Sequence, residues 1–424
     1  MAKNLFKNLI NIVDKNKFFI IAFLIFLLVR VYVLINFPKE YSDVKHDYER
    51  YANMWWYGLP PYFKHLYEYP PATIPLLIIP LALDQSGIGI YYFNYRWQIF
   101  FIETIIYFFI LKTLKKILPS PSGQYLTIIF YNLACLIAKD FWYEGIDLVF
   151  IGVLVLAFCS YILLKKQSLL NKTLFWSLFW LSVGIKFITL PLFIPLFLIK
   201  NDNFKKEVWA FILGFLIIWG LPIAVFRSSL SVSLLFHLSR ALHASSFPAF
   251  IVYTLNHFSR SEEMIKLEWF GPLSQKLLFW SSIVLIINTL IFLWLSIKLI
   301  LKQSSRRSNF SIKYLLMLKL SLIYFLIFIL SGKIFSPPFN IWYTLLLTIY
   351  PFKNIKRQLL FSFLLIWALI FNTTNIVKLP ETIMVYPFVW SYLRNLFRWP
   401  PIFALLILLI REKPEENHIN TLTR

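Results

Sequence analysis

Cysteine, glycine and acidic side chains are all scarce in this chain: 424 residues hold two cysteines, 11 glycines and 20 aspartates and glutamates against 42 lysines and arginines. Cys135 and Cys159 both fall inside apolar runs, so no disulfide framework is implied and the redox compartment is left open. Neither a phosphate-cradling glycine loop nor a metal-ligand spacing of His and Cys occurs, so no cofactor and no metal are expected. An internal repeat of fixed period is missing too. Strands of alternating polarity are absent, which removes an outer-membrane barrel from consideration. A soluble domain has no room either, because the longest polar stretches between apolar runs hold about 45 residues. A small-residue cleavage site does not follow Phe37, so the first apolar run is expected to be retained rather than removed as a signal peptide.

What remains is apolar. Hydrophobic residues make up 59% of the chain and aromatic residues 19%, with a mean hydropathy of +0.68. Those values place it among polytopic membrane proteins, and with strands excluded the spans must be helices of about 20 residues. The net charge of +22 does not imply a nucleic-acid partner, because the basic residues form short clusters between apolar runs rather than a continuous face. The clusters lie at 3–17, 112–116, 165–172, 200–206, 298–313, 353–357 and 411–413. The positive-inside rule puts them, and both termini, in the cytoplasm.

Alternating between those clusters predicts crossings at 18–37, 90–111, 123–139, 147–164, 174–186, 187–199, 207–226, 275–297, 314–331, 340–350, 358–376 and 385–410. The prediction is therefore an all-α, multi-pass protein of the cell membrane with about twelve transmembrane helices. It forms one domain over 1–424, with cytoplasmic tails at 1–17 and 411–424. The apolar run 72–83 is too short to span and reads as a re-entrant or interfacial helix. Five loops then face outward: 38–89, 140–146, 228–274, 332–339 and 377–384.

Chemistry is expected in these loops and the helix ends beneath them, because charge against a membrane is costly and is usually kept for function. Four constellations stand out: Ser42-Asp43-Val44-Lys45-His46-Asp47-Tyr48, the run Lys139 to Asp147, the run Phe236 to Ser246, and Gly332 to Pro338. Lys186 stands near the outer end of its span, before Pro191.

In this order the motifs resemble the polyprenol-phosphate-mannose-dependent mannosyltransferase-like family of the GT-C membrane glycosyltransferases. The resemblance runs from about 40 to 350. It rests on the Ser42-Asp43-Val44 opening, the turn Gly58 to Tyr62, Glu68-Tyr69-Pro70-Pro71, Gly145 with Asp147, Lys186, Arg240 with Ser246, and Lys333 to Ser336-Pro337. Many relatives continue the last motif as Ser-Pro-Gln-Tyr or with histidines, whereas this chain has Ser336-Pro337-Pro338-Phe339.

The resemblance implies an inverting hexosyltransferase with its active site on the extracytoplasmic face. Such an enzyme moves a monosaccharide, with mannose the leading choice, from a polyprenyl-phosphate donor to a glycolipid or other glycan acceptor in the bilayer. One carboxylate suffices as base, since the departing polyprenyl phosphate is already a stable anion and needs cations and hydrogen-bond donors rather than an acid. Asp43 is the expected base and Asp47, sharing its face on a helix, the reserve; a solvated loop carboxylate or helix cap is the plain alternative for Asp43. Arg240 is expected to fork the donor phosphate, with His243 on the same helical face, against the alternative of an interfacial helix meeting headgroups. Lys333 and Ser336 are placed to close over the donor, or Lys333 simply snorkels.

Lys186 is expected to join Arg240, His243 and Lys333 at the donor phosphate; between two apolar half-spans it must find a partner, Asp147 or Glu144, or a wet cavity, and a structural ion pair is the plain alternative. Glu68 and Tyr69 are expected to shape the cavity floor, and Asp147 and Ser246 to touch substrate. Trp55, Trp56, Tyr57 and Trp142 read as interfacial anchors rather than sugar platforms. Two other functions fit parts of the pattern. A transporter or lipid-oligosaccharide flippase predicts inverted repeats and midspan charges, and a glycan ligase differs only in the size of what is moved.

Overall fold

The computed structural model of the chain describes residues 2–38, 42–164, 168–200, 203–240, 242–243, 246–256, 268–269, 272–302, 310–372 and 387–412. The expected outer loop 377–384 and nearly all of the tail 411–424 lie outside the described residues. The fold is helical. In chain order its helices are α1 (Ala2–Asn36), α2 (Glu49–Trp56), α3 (Ile74–Gln85), α4 (Tyr91–Ile117), α5 (Pro121–Ile137), α6 (Asp147–Leu163), α7 (Leu169–Ile185) and α8 (Phe193–Lys200). Then follow α9 (Phe204–Phe226), α10 (Ser231–Ser239), α11 (Phe247–Asn256), α12 (Pro272–Lys302), α13 (Phe310–Ser331), α14 (Asn340–Thr348), α15 (Ile355–Asn372) and α16 (Pro387–Arg411). The only strand pairing among the described residues is the antiparallel pair β1 (Leu242–His243) and β2 (Glu268–Trp269).

Helix lies over each apolar stretch read from the sequence, and α3 covers the short run 72–83. Among the described residues, six stretches are long and apolar enough to cross a membrane: 16–36, 91–117, 204–237, 279–302, 310–331 and 355–372. Shorter apolar helices cover 71–85, 147–163, 169–185 and 187–200, and α16 is long, at 25 residues, but is not among the six. Local chemistry sets several boundaries. Ser120, Ser168 and Asn203 cap α5, α7 and α9 by accepting from Gly123 N, Asn171 N and Lys206 N, which satisfies amides that the first turn leaves open. Arg227, at φ 49°, ends α9 in a conformation few L-residues adopt.

The bundle is centred on α6, which packs against α4, α7, α13 and α14 and is buried on nearly every side, consistent with its uniform apolarity. α7 also packs along α9, and the two helices come close because position 214 is glycine: a Cβ there would stand 2.8 Å from Ser177 N. At the periphery the pattern inverts. Only 17% of the apolar window of α9 and of α12 is buried, leaving Trp209, Leu216, Ile217 and Leu221 of the first and Phe279, Trp280, Leu290 and Trp294 of the second exposed. An apolar surface of that extent suits an apolar surrounding and is consistent with helices of a membrane protein.

Candidate functional site

The segment that opens the resemblance is a widened turn. Ser42 O accepts from Lys45 N and His46 N at 3.2 and 3.1 Å, and Glu49 N–H then reaches back five residues to Val44 O, which makes 44–48 a π-helical turn. Such turns are rare and recur at functional sites. Asp43 stands exposed at its start, while Tyr48 turns inward to 2% exposure. The Tyr48 ring meets those of Tyr69 at 5.7 Å and Tyr95 at 5.5 Å. Burial pushes the hydroxyls of Tyr48 and Tyr69 well above the ordinary tyrosine value, and the negative charge of Asp43 adds to the push on both.

Beside Asp43 lies the Glu68-Tyr69 segment. Tyr62, itself at φ 66°, donates its hydroxyl to Tyr69 O at 2.5 Å, and the prolines that follow steer the chain into α3. Ser233 of α10 donates to Glu68 O at 2.6 Å, so α10 is docked on this segment. The helix stops at Ser239, and Arg240 turns away at φ −58°, ψ 138°. Its Nη1 lies 3.9 Å from Glu68 Oε2, with side-chain exposures of 30% and 13%. Burial raises the Glu68 carboxyl above its ordinary value, and Arg240 pulls it back only in part. His237, one turn before Arg240, lies within the electrostatic reach of Lys186, Arg240 and Lys333.

Lys186 caps the C-terminus of α7 in an extended conformation, φ −146°, ψ 126°, before a 3-10 stretch that carries Pro191. Its partner is Asp147, on the first turn of α6, at 2.6 Å. Trp342 of α14 donates Nε1–H to the same Asp147 oxygen, also at 2.6 Å. Phe339 stacks on Trp342 at 4.0 Å, and the Lys186 ammonium lies 5.2 and 5.3 Å from the two ring centres. The Lys333 loop is tied in by His243 N, which donates to Lys333 O at 2.9 Å, and Arg398 of α16 stacks on Phe335 at 5.2 Å. Ser336 is half-buried at the start of the turn that carries Phe339, and its carbonyl accepts from Phe339 N.

Several expectations need correction. His243 does not share a helical face with Arg240, because α10 ends between them and His243 is strand, paired with Glu268. Asp47 points to the surface, where it pairs with Arg50 at 3.0 Å with both side chains exposed. Ser246 is fully buried, and its hydroxyl accepts from Ala249 N as a cap of α11, which accounts for it without substrate. Glu144 pairs with Arg96 and Tyr92 rather than with Lys186. Trp142 is fully buried and donates to Glu103, so it is no interfacial anchor; Trp56 and Tyr57 are exposed, as that role requires.

Sequence reasoning included Tyr48 and His237 in its constellations but gave them no role, and it did not single out Tyr95 or Trp342. Trp342 carried a signal all the same, standing one helical turn beyond Phe339 in the short apolar helix that follows a charged loop. Asp43, exposed, lies near Tyr48, Tyr69 and Glu68, and Glu68 in turn meets Arg240. Asp43 can take a proton and Arg240 can hold an anion. Comparison of the chain with family models, with curated proteins and with solved structures gives no match in any of the three.

Proposed function

We propose that this protein is an inverting, GT-C-type hexosyltransferase in a membrane that about twelve of its helices cross, with its site on the extracytoplasmic face. It moves a monosaccharide, mannose by the resemblance, from a polyprenyl-phosphate donor to a glycolipid or glycan acceptor. The observation that carries the reading is that motifs far apart in sequence meet: Arg240 lies 3.9 Å from Glu68, Ser233 of α10 holds Glu68 O, and His243 N holds Lys333 O. The order of these motifs is the order of the resemblance.

In this mechanism Asp43 takes the proton from the acceptor hydroxyl as its oxygen bonds to the anomeric carbon from the face opposite the phosphate. The bond from that carbon to the phosphate oxygen breaks, and its electron pair leaves with the polyprenyl phosphate. Arg240, Lys186 and Lys333 offset the charge that gathers on the departing group. Arg240 suits this work because it stays charged beside lipid, is partly exposed and carries a planar fork that matches phosphate oxygens.

The test is transfer of radiolabelled mannose from synthetic polyprenyl-phosphate-mannose by purified protein in liposomes, comparing the native chain with Asp43→Asn over a panel of lipid-extract acceptors. Transfer by the native chain and its loss in the variant support both the reaction and the base. Donor binding without transfer to any acceptor moves weight to a flippase.

A further inference from the structure

We propose that Phe339, backed by Trp342, is the surface on which the donor's sugar ring lies, with the Lys186 ammonium at its edge holding the adjoining phosphate. The inference rests on the glycosyltransferase reading and adds to it which side chains recognise the sugar. A pyranose has a C–H-lined face that packs on aromatic rings, and its anomeric phosphate is only two bonds from the ring. A receptor for both parts therefore needs a flat apolar surface and a cation beside it.

The Phe339 and Trp342 rings are stacked, with centres 4.0 Å apart and planes 22° apart. The Lys186 Nζ is almost equidistant from the two centres, at 5.2 and 5.3 Å. A charge centred over the outer face of either ring would be a full ring spacing farther from the other, so the ammonium lies beside the stack, at its seam. Trp342 is 1% exposed, meets Phe150 and Phe325 edge-on, and is pinned through Nε1 to Asp147. It is thus a fixed wall.

Phe339 is only half-buried, with Phe335 meeting it edge-on at 5.9 Å, and it sits at the end of the turn begun by Pro337 and Pro338. The same carboxylate oxygen holds both the wall and the cation, since Asp147 Oδ1 accepts from Trp342 and from Lys186. Surface and charge are therefore kept in register.

The test uses the full chain in nanodiscs and two probes, polyprenyl phosphate and polyprenyl-phosphate-mannose, each binding in competition with a radiolabelled donor. Phe339→Ala is expected to weaken the sugar-bearing probe about tenfold and the sugar-free probe less than twofold, a gap of the size that aromatic contacts supply. Phe339→Tyr should restore both, and Lys186→Met should weaken both. Phe339→Leu, which keeps apolar bulk without a ring, should repeat the alanine result and decides the matter where alanine disturbs folding. Equal loss on both probes, or none, overturns the proposal and reduces Phe339 to a support for Trp342. If the native chain binds neither probe, the glycosyltransferase reading itself fails, an outcome distinct from equal loss in the variants.

Discussion

Two ion pairs in this bundle use the same ingredients to opposite effect. Arg30 and Glu103 meet at 2.9 Å with both side chains fully buried, and Glu103 also accepts from Tyr131, Trp142 and Tyr143. The guanidinium is further covered by Phe26 and Tyr131, each 4.8 Å away, and donates to Asn132 Oδ1. Arg240 and Glu68 stand 3.9 Å apart, with side-chain exposures of 30% and 13%. The first pair is enclosed by protein and joins α1, α4 and α5 to the 138–146 loop. The second is longer and reaches water, so its charges stay within reach of a ligand from outside the bundle. Charge near a membrane is therefore not itself a sign of chemistry; an enclosed pair holds helices together, and a pair that reaches the surface can meet a ligand.

Breaking the enclosed pair should have the largest effect. Glu103→Gln leaves the buried Arg30 charge unmatched, a change that typically costs about 3–5 kcal/mol. Thermal melting followed by size-exclusion chromatography should show a collapse in folded yield, while the material that stays folded keeps its native turnover. Normal melting with lost turnover would reverse the contrast and place Glu103 in the chemistry.

Asp43→Asn is the converse experiment. Asp43 is exposed and stands at a turn, so its loss should barely move the melting temperature. Transfer should fall by about 100-fold or more, the range that a positioned base contributes. A large drop in melting with modest loss of transfer would make Asp43 a cap rather than a base.

How far each half of this contrast can be read from sequence follows from the physics of each. The helices are legible because lipid demands about 20 apolar residues wherever a chain crosses, and the Lys186 partnership because a cation there must find a carboxylate. The site's fine geometry is not legible. Whether Arg240 and His243 share a face depends on α10 stopping at Ser239, and no glycine or proline marks that stop. The π turn at 44–48 differs from an α turn by one residue of hydrogen-bond reach, which composition does not encode. Trp342 is joined to Asp147 across 195 residues, a contact that only the packed bundle creates. Trp142 has the same composition cues as the interfacial tryptophans and differs only in where the Glu103 hub draws it.

The pair that reaches the surface can be sharpened with pH. Glu68 titrates above the ordinary carboxylate value because burial outweighs Arg240. The sign follows from that direction. Protonated Glu68 is the form the fold favours, so its contribution to stability is complete below the unfolded-state value and is lost as pH rises through the raised folded value. Over the same window the ionised carboxylate becomes a counter-ion for Arg240 and competes with the donor phosphate. That phosphate is a diester and stays singly charged throughout, so it adds no titration of its own. Donor KM should rise with pH by about fivefold at most, the ~1 kcal/mol of a partly exposed pair. Glu68→Gln should hold KM at its low-pH value across the range; a variant that still follows the native curve would detach Glu68 from the effect.

The smallest effect separates the two aspartates. Asp47 shares the first constellation with Asp43 but lies on the solvent side, paired with Arg50 where both side chains are well exposed, 42% and 59%. Water screens such a pair, and its removal costs less than about 1 kcal/mol. Asp47→Asn should therefore leave transfer within about twofold of native and shift melting only slightly. Asp47 also adds to the field at Glu68, so a slight lowering of the Glu68 titration, and with it of the KM midpoint, is the one trace it should leave. If Asp47→Asn instead abolishes transfer while Asp43→Asn does not, the base lies one turn farther along the chain, and the π turn must rotate when substrate binds.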